Sequence, residues 1–147
     1  MQRVLITGIN GFIGQALSQA IRANGYEVWG IDITSDLDRH VIGANLLDRN
    51  EVSEVSNKIP QCSVLIHTAA LAHGQKPPNG ETVLTTNIRI TDNVLEFFGN
   101  HTTSIIFLSS VAVYGEENRN KQVVIGDTLR PSTDYGKSKV ICEEHVL

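Results

Sequence analysis

Tyr135 and Lys139 stand four residues apart in Tyr135-Gly136-Lys137-Ser138-Lys139, a spacing that puts a phenol and an ammonium on one face of a helix. Free tyrosine, with a pKa of about 10, is a poor base at neutral pH. A neighbouring ammonium favours the phenolate, which suits the pair to taking a proton from an alcohol. Ser110 follows the apolar run Ile105-Ile106-Phe107-Leu108. A hydroxyl at the carboxyl end of a buried strand can hold the same alcohol oxygen and share its proton with Tyr135. Alone, a YxxxK spacing is common on helix surfaces, and Ser109 is read as ordinary strand-end hydrogen bonding. Ser110, Tyr135 and Lys139 together form the catalytic candidate.

Removing a proton from an alcohol oxidises nothing unless an electron acceptor is present, and the other end of the chain offers a place for one. Thr7-Gly8-Ile9-Asn10-Gly11-Phe12-Ile13-Gly14 follows the apolar run Val4-Leu5-Ile6 directly. A strand that turns sharply into a helix while letting phosphate oxygens reach its backbone needs glycine, and Gly8 and Gly11 supply it. Gly14 lets the helix lie close on the sheet. The first amides of a helix lack internal partners and carry a partial positive charge, so Gly11, Phe12 and Ile13 can offer N–H groups to a pyrophosphate. Asp32 ends the segment Val28-Trp29-Gly30-Ile31, 18 residues past Gly14, near the ~20 at which an acid meets the adenosine ribose. Its carboxylate would accept from both ribose hydroxyls and repel a 2′-phosphate, which selects NAD over NADP. Lys139 would also hold the nicotinamide ribose.

The elements that must position these groups are those of a parallel sheet covered on both faces, because short apolar runs alternate with longer amphipathic stretches. Strands are expected near residues 2–7, 27–32, 41–45, 63–68 and 104–109, and helices near 12–24, 48–58, 81–99 and 134–146. Right-handed crossovers then give the sheet order 3-2-1-4-5, a Rossmann-type doubly wound α/β fold, with ligand at the carboxyl ends of the strands. Gly8, Asp32, His67 and Ser110 all fall on those ends. Gln75 to Gly80 reads as an exposed break, and the polar stretch from Gly115 to Thr133 has no assignable element.

Composition narrows the classes of partner. The 147 residues make one domain with 41% hydrophobic and 19% charged residues and a formal net charge of −4. Without a basic run there is no nucleic-acid partner to expect, and no segment reaches the ~18 apolar residues of a membrane span. Cys62 and Cys142 form no CxxC pair and read as reduced structural thiols. The five histidines lack metal-ligand spacing, so no metal is expected. A first strand beginning next to Met1 leads us to expect no signal peptide and a cytoplasmic location.

Taken together, these residues resemble the NAD-binding half of an extended short-chain dehydrogenase/reductase, the NAD-dependent epimerase/dehydratase family. The likeness runs through Thr7 to Gly14, Asp32, His67-Thr68-Ala69-Ala70, Asn87, Ser109 to Gly115, and Tyr135 to Lys139 with Glu143. It implies cofactor contacts from His67, Ala69, Ala70 and Asn87. Where the family has Gly-Asp-Leu after the third strand, with the Asp on the adenine amino group, this chain has Asn45 and Leu46; the Asn45 amide oxygen can still accept that bond.

The resemblance further implies a nucleotide-diphosphate sugar as substrate and allows a homodimer of the full-length protein. Sugar 4,6-dehydratases of the family follow the catalytic Ser or Thr with Asp-Glu. Val111 and Ala112 hold those places here, and neither moves a proton. A UDP-glucose 4-epimerase-like reaction, oxidation and re-reduction at C4, therefore ranks first. A one-way nucleotide-sugar dehydrogenase or reductase shares the same residues, and a non-catalytic NAD-binding sensor or scaffold is the alternative of another class. Family members continue past the Tyr135 helix into a substrate-binding portion. The 147 residues are thus expected to be part of a longer enzyme, binding NAD weakly and turning over no sugar by themselves.

Overall fold

Val4, Ile6, Val28 and Ile66 pack into one apolar cluster, while Leu5, Ile31 and Leu65 pack into another. That alternation is the side-chain period of strands buried on both faces. The computed structural model describes residues 2–72, 74–116 and 122–147. Its elements run β1 (Arg3–Thr7), α1 (Phe12–Ala23), β2 (Glu27–Asp32), β3 (Val41–Gly43), α2 (Arg49–Ser56), β4 (Cys62–His67), α3 (Val83–Phe98), β5 (Thr102–Phe107) and α4 (Asp134–Val146), with short 3₁₀ turns between them. Two compact units divide the chain: Met1–Ala70 with Ile90–Leu108, and Leu71–Arg89 with Ser109–Leu147.

The first unit contains the whole sheet, in the order β3-β2-β1-β4-β5 and with every strand pairing parallel. This is the expected doubly wound order. Val4, Ile6, Ile9, Val28, Val41 and Ile66 form the core on one side, with Leu17 and Ile21 of α1 packed against it. Leu5, Ile31 and Leu65 meet Val52 and Val55 of α2 and Ile90, Val94 and Phe98 of α3 on the other. The strand order reverses between β1 and β4, so the crevice outside their carboxyl ends is where such a sheet binds ligand.

Several boundaries shift by one or two residues from the sequence reading, β5 ending at Phe107 rather than residue 109, and two of the shifts have visible reasons. β3 stops at Gly43 rather than residue 45, because the chain turns away once Ala44 N–H has donated to Asp32 O at 2.8 Å. Asn45 consequently lies outside the strand, ahead of α2, whose first turn is capped by Asp48 accepting from Asn50 and Glu51 N–H. β5 begins two residues early, since Thr102 pairs with Cys62 although the polar Thr102-Thr103-Ser104 gives no apolar signal. Among the described residues, no helix is long and apolar enough to cross a membrane.

In the second unit, Thr133 Oγ1 accepts from Gly136 N–H at 3.0 Å and caps α4. Asn87 in α3 clasps the backbone of Leu71, accepting from its N–H at 2.8 Å and donating to its carbonyl at 3.1 Å. Gly115 has φ +77°, and a Cβ there would lie 2.0 Å from Arg130 O. The end of the Val111–Tyr114 turn is thereby held against the residue-130 segment, with Arg130 N–H also donating to Val113 O at 3.0 Å.

Neither Cys62 nor Cys142 is in a disulfide, and they are 3% and 1% exposed. Burial pushes the Cys62 thiol up from 9.0 to about 11. A thiol with a raised native value keeps its proton where the unfolded chain loses it, so its contribution to stability is complete below pH 9 and is lost as pH rises towards 11. Two results are expected: a thiol reagent at neutral pH labels neither cysteine until the chain unfolds, and Cys62→Ala flattens the alkaline loss of stability between those limits. Rapid labelling of native protein would contradict the burial.

Candidate active site

Gly8 takes φ +73°, and a Cβ on it would meet Ala69 N at 2.8 Å, so the turn after β1 passes hard against the residues after β4. Gly8 N–H donates to Ile31 O at 2.8 Å, which fixes the turn to β2 as well. Gly11 is the N-cap of α1 and has no side-chain cap, and the helix has no acidic residue in its first turn. A carboxylate there would occupy or repel an anion site; its absence leaves the first amides open to one. Gly11 N–H already donates to Gly8 O at 3.0 Å. Phe12 and Ile13, the first two residues of α1, are 95% and 43% exposed.

Gly14 makes its close approach to the turn itself. Its Cβ would stand 2.2 Å from Gly8 O and 2.8 Å from Ile9 Cα. Ile9 is fully buried and presses into the space that a side chain at Gly30 would need, 2.5 Å from the position of the missing Cβ. Asp32, at the end of β2, accepts from Asn10 N–H through Oδ2 and from Ile33 N–H through Oδ1, each at 2.8 Å. Both bonds orient the carboxylate, and each oxygen keeps a further lone pair for an outside hydroxyl.

The remaining candidates of the first unit differ in what they can offer. Asn45 is exposed, but its side-chain oxygen already accepts from Leu47 N–H at 3.1 Å. Leu46 is buried, and its carbonyl is held by Asn93 Nδ2 at 2.8 Å. His67 is 1% exposed, with Nδ1 2.6 Å from Thr7 Oγ1 and Nε2 3.1 Å from Thr91 Oγ1. Its ring therefore ties β1 to α3. Ala69 and Ala70 are partly buried, and Ala69 presents its backbone beside Gly8.

The second unit holds Asn87, Ser110, Tyr135 and Lys139. Asn87 is 2% exposed and, besides its clasp on Leu71, donates to Ser138 Oγ at 3.2 Å. Its polar atoms are thus committed to holding segments of this unit together. Ser110 begins the Val111–Tyr114 turn, and its Oγ accepts from Ala112 N–H at 3.2 Å. The hydroxyl hydrogen remains available to donate. Tyr135 is partly buried, and Lys139 Nζ lies 5.7 Å from its ring centroid, within cation–π range. Lys139 is 3% exposed; burial pushes its ammonium below the ordinary lysine value, while Cys142 and Glu143 pull it back up.

Several contributions go beyond what the sequence reading assigned to these residues. Asn10 occupies a variable place in the glycine motif, yet its N–H orients Asp32 and its Nδ2 reaches Thr34 O at 3.1 Å. Gly30 reads as a weak point in a strand until Ile9 is seen filling the space. Ser109 does more than satisfy a strand end: its hydroxyl donates to the Glu143 carboxylate on α4.

Known proteins share this fold. Over 99% of the chain, an ADP-L-glycero-D-manno-heptose-6-epimerase from Helicobacter pylori superposes with a TM-score of 0.81 at 28% identity, half of that chain being covered. A UDP-glucose 4-epimerase from Brucella ovis, solved with NAD, gives 0.78 at 26% over 99% of this chain and 46% of its own. The bifunctional polymyxin resistance protein ArnA of Wigglesworthia glossinidia brevipalpis is 26% identical over 97% of the chain, which spans 24% of that protein. The chain thus covers half or less of these relatives. A model of the NAD dependent epimerase/dehydratase family matches residues 4–147, and with the glycine turn, the sheet order and the Tyr135–Lys139 face all in place, the chain belongs to that family.

Proposed function

We propose that the chain is the NAD-binding part of a nucleotide-sugar epimerase that oxidises and re-reduces a sugar carbon, C4 in the first instance. The observation that carries the reading is the buried Lys139 ammonium beside the Tyr135 ring. A lysine is rarely buried this far without a partner, and this one stands beside the Tyr135 phenol ring. Bound NAD would supply the two-electron acceptor for the carbon-bound hydrogen. Tyr135 Oη would take the hydroxyl proton and return it, Ser110 Oγ would hold the same oxygen, and Lys139 would stand beside the phenol and grip the nicotinamide ribose. Phe12 and Ile13 N–H would hold the pyrophosphate, and Asp32 the adenosine ribose.

Val111 is 74% exposed in the place where a dehydratase would carry an acid, and Ala112 follows it. Neither has a group that moves a proton, which favours epimerisation over elimination of water. Incubating the full-length protein with a panel of UDP-, ADP- and dTDP-sugars and analysing the products tests the reading. Interconversion of C4 epimers supports it; oxidation that accumulates reduced cofactor in proportion to product replaces it with a dehydrogenase. A cytoplasmic setting belongs to the same proposal, the two cysteines forming no disulfide.

NAD is expected to bind at least about tenfold more tightly than NADP, the equivalent of ~1.4 kcal/mol. The Asp32 carboxylate, held by Asn10 and Ile33 N–H, gains two hydroxyl partners from a free ribose and meets a like charge in a 2′-phosphate. Calorimetric titration with each cofactor measures the gap. Asp32→Ala narrows it, mainly by weakening NAD; equal affinities in the unaltered chain remove Asp32 from this role.

A further inference from the structure

Tyr135, Lys139 and Glu143 recur every four residues along α4 and so share one helical face. The first two have a place in the proposed chemistry. Glu143 does not, yet its Oε1 accepts the hydroxyl of Ser109, the residue adjoining Ser110. We propose that Glu143 is a positioning residue for the proton-handling group: its carboxylate ties Ser109, and through it Ser110, to the face of α4 that carries Tyr135 and Lys139. The proposal rests on the catalytic reading of Ser110 and Tyr135 given above.

The surrounding contacts show what this tether adds. Ser110 starts a four-residue 3₁₀ turn, where its Oγ accepts from Ala112 N–H. The far end of that turn is fixed by Gly115 against Arg130 O. The Ala112 carbonyl lies 2.6 Å from where a Cβ on Gly136 would sit, so the middle of the turn rests on the first turn of α4. At the near end, the side-chain bond from Ser109 to Glu143 reaches two helical turns along α4 from Tyr135. The turn is thus gripped at both ends, and Glu143 grips the end that bears Ser110. A hydrogen bond to an ionised carboxylate is about twice as strong as a neutral one, and a misplacement of about 1 Å in a reacting group can cost a factor of 10² in rate.

Amide hydrogen exchange at Ala112, whose N–H is held by Ser110 Oγ, reads the geometry in the 147-residue chain without cofactor or substrate. Ser109→Ala and Glu143→Ala are each expected to speed that exchange about tenfold, the scale of one lost charge-assisted bond. The double variant should add little, since both changes remove the same interaction. Glu143→Gln keeps an acceptor for the Ser109 hydroxyl and should hold Ala112 near its original rate. Protection of the Leu5 and Leu65 amides, in the buried sheet, should not move, which separates loss of the tether from general unfolding. Unchanged Ala112 exchange in both alanine variants, or Glu143→Gln as fast as Glu143→Ala, overturns the proposal.

In the full-length protein Glu143→Ala should lower kcat at least about tenfold with little change in KM, and Glu143→Gln should restore most of it. A normal kcat alongside fast exchange would end the positioning role. It would leave the epimerase reading standing, because that reading is judged by product analysis and by Tyr135 itself.

Discussion

Tyr135→Phe in the full-length protein is expected to cut turnover by at least a hundredfold, within the ~10²–10⁴ range for a general acid–base group, while leaving NAD affinity nearly unchanged. The two effects separate because the substitution removes one oxygen and keeps the ring. Lys139 Nζ lies 5.7 Å from that ring's centroid, and a phenylalanine still offers the cation an aromatic face. The ammonium therefore keeps its neighbour, and any hold it has on the cofactor survives. Lys139→Met, by contrast, removes the cation and should weaken both binding and turnover. Single-turnover kinetics with the identified sugar, beside calorimetric titration of NAD, measure the two quantities independently. Near-normal turnover by Tyr135→Phe would place the base elsewhere and leave the buried Lys139 without its proposed function.

Most of the fold was legible because its signals are periodic. Val4-Leu5-Ile6 and Val64-Leu65-Ile66 are apolar on both faces, as strands covered by helices on two sides must be, and all four helices fall within two or three residues of where the pattern put them. β5 was placed late because its first three residues are polar and belong to the sheet through pairing alone. Of the site, the placement of motif residues was legible: Gly8 makes the turn after β1, Asp32 ends β2, and Lys139 stands beside the Tyr135 ring. The site was illegible where a residue works through partners distant in sequence: His67 joins Thr7 to Thr91, Asn87 clasps Leu71, and Glu143 takes the Ser109 hydroxyl. No periodicity announces a side chain whose partners lie 16 to 60 residues away.

Gly14→Ala should be the most damaging small substitution in the cofactor-binding half, although ordinary helix energetics point the other way. In an exposed helix interior, alanine is more favourable than glycine by up to ~1 kcal/mol. Here the added Cβ would stand 2.2 Å from Gly8 O, where ordinary contact begins at 3.4 Å, and also 2.8 Å from Ile9 Cα. Neither neighbour can give way. Gly8 is bonded on both sides, its N–H to Ile31 O and its carbonyl to Gly11 N–H, and Ile9 is wholly buried in the space left by Gly30. The helix must move instead, pulling Leu17 and Ile21 from the core they cover and carrying Phe12 and Ile13 N–H off their line. Overpacking against a fixed backbone costs ~3 kcal/mol or more at the upper end of its range, which outweighs the propensity gain and corresponds to a fall of about 10 °C in Tm. NAD affinity should drop by more than tenfold. Gly99→Ala is the control, since a Cβ there meets nothing within 4 Å, and it should leave Tm and NAD binding close to their original values. Thermal melts and calorimetric titration of both variants decide the matter: a Gly14→Ala chain with unaltered Tm and NAD affinity would mean that α1 does not lie as close to the glycine turn as the proposed phosphate-binding role requires.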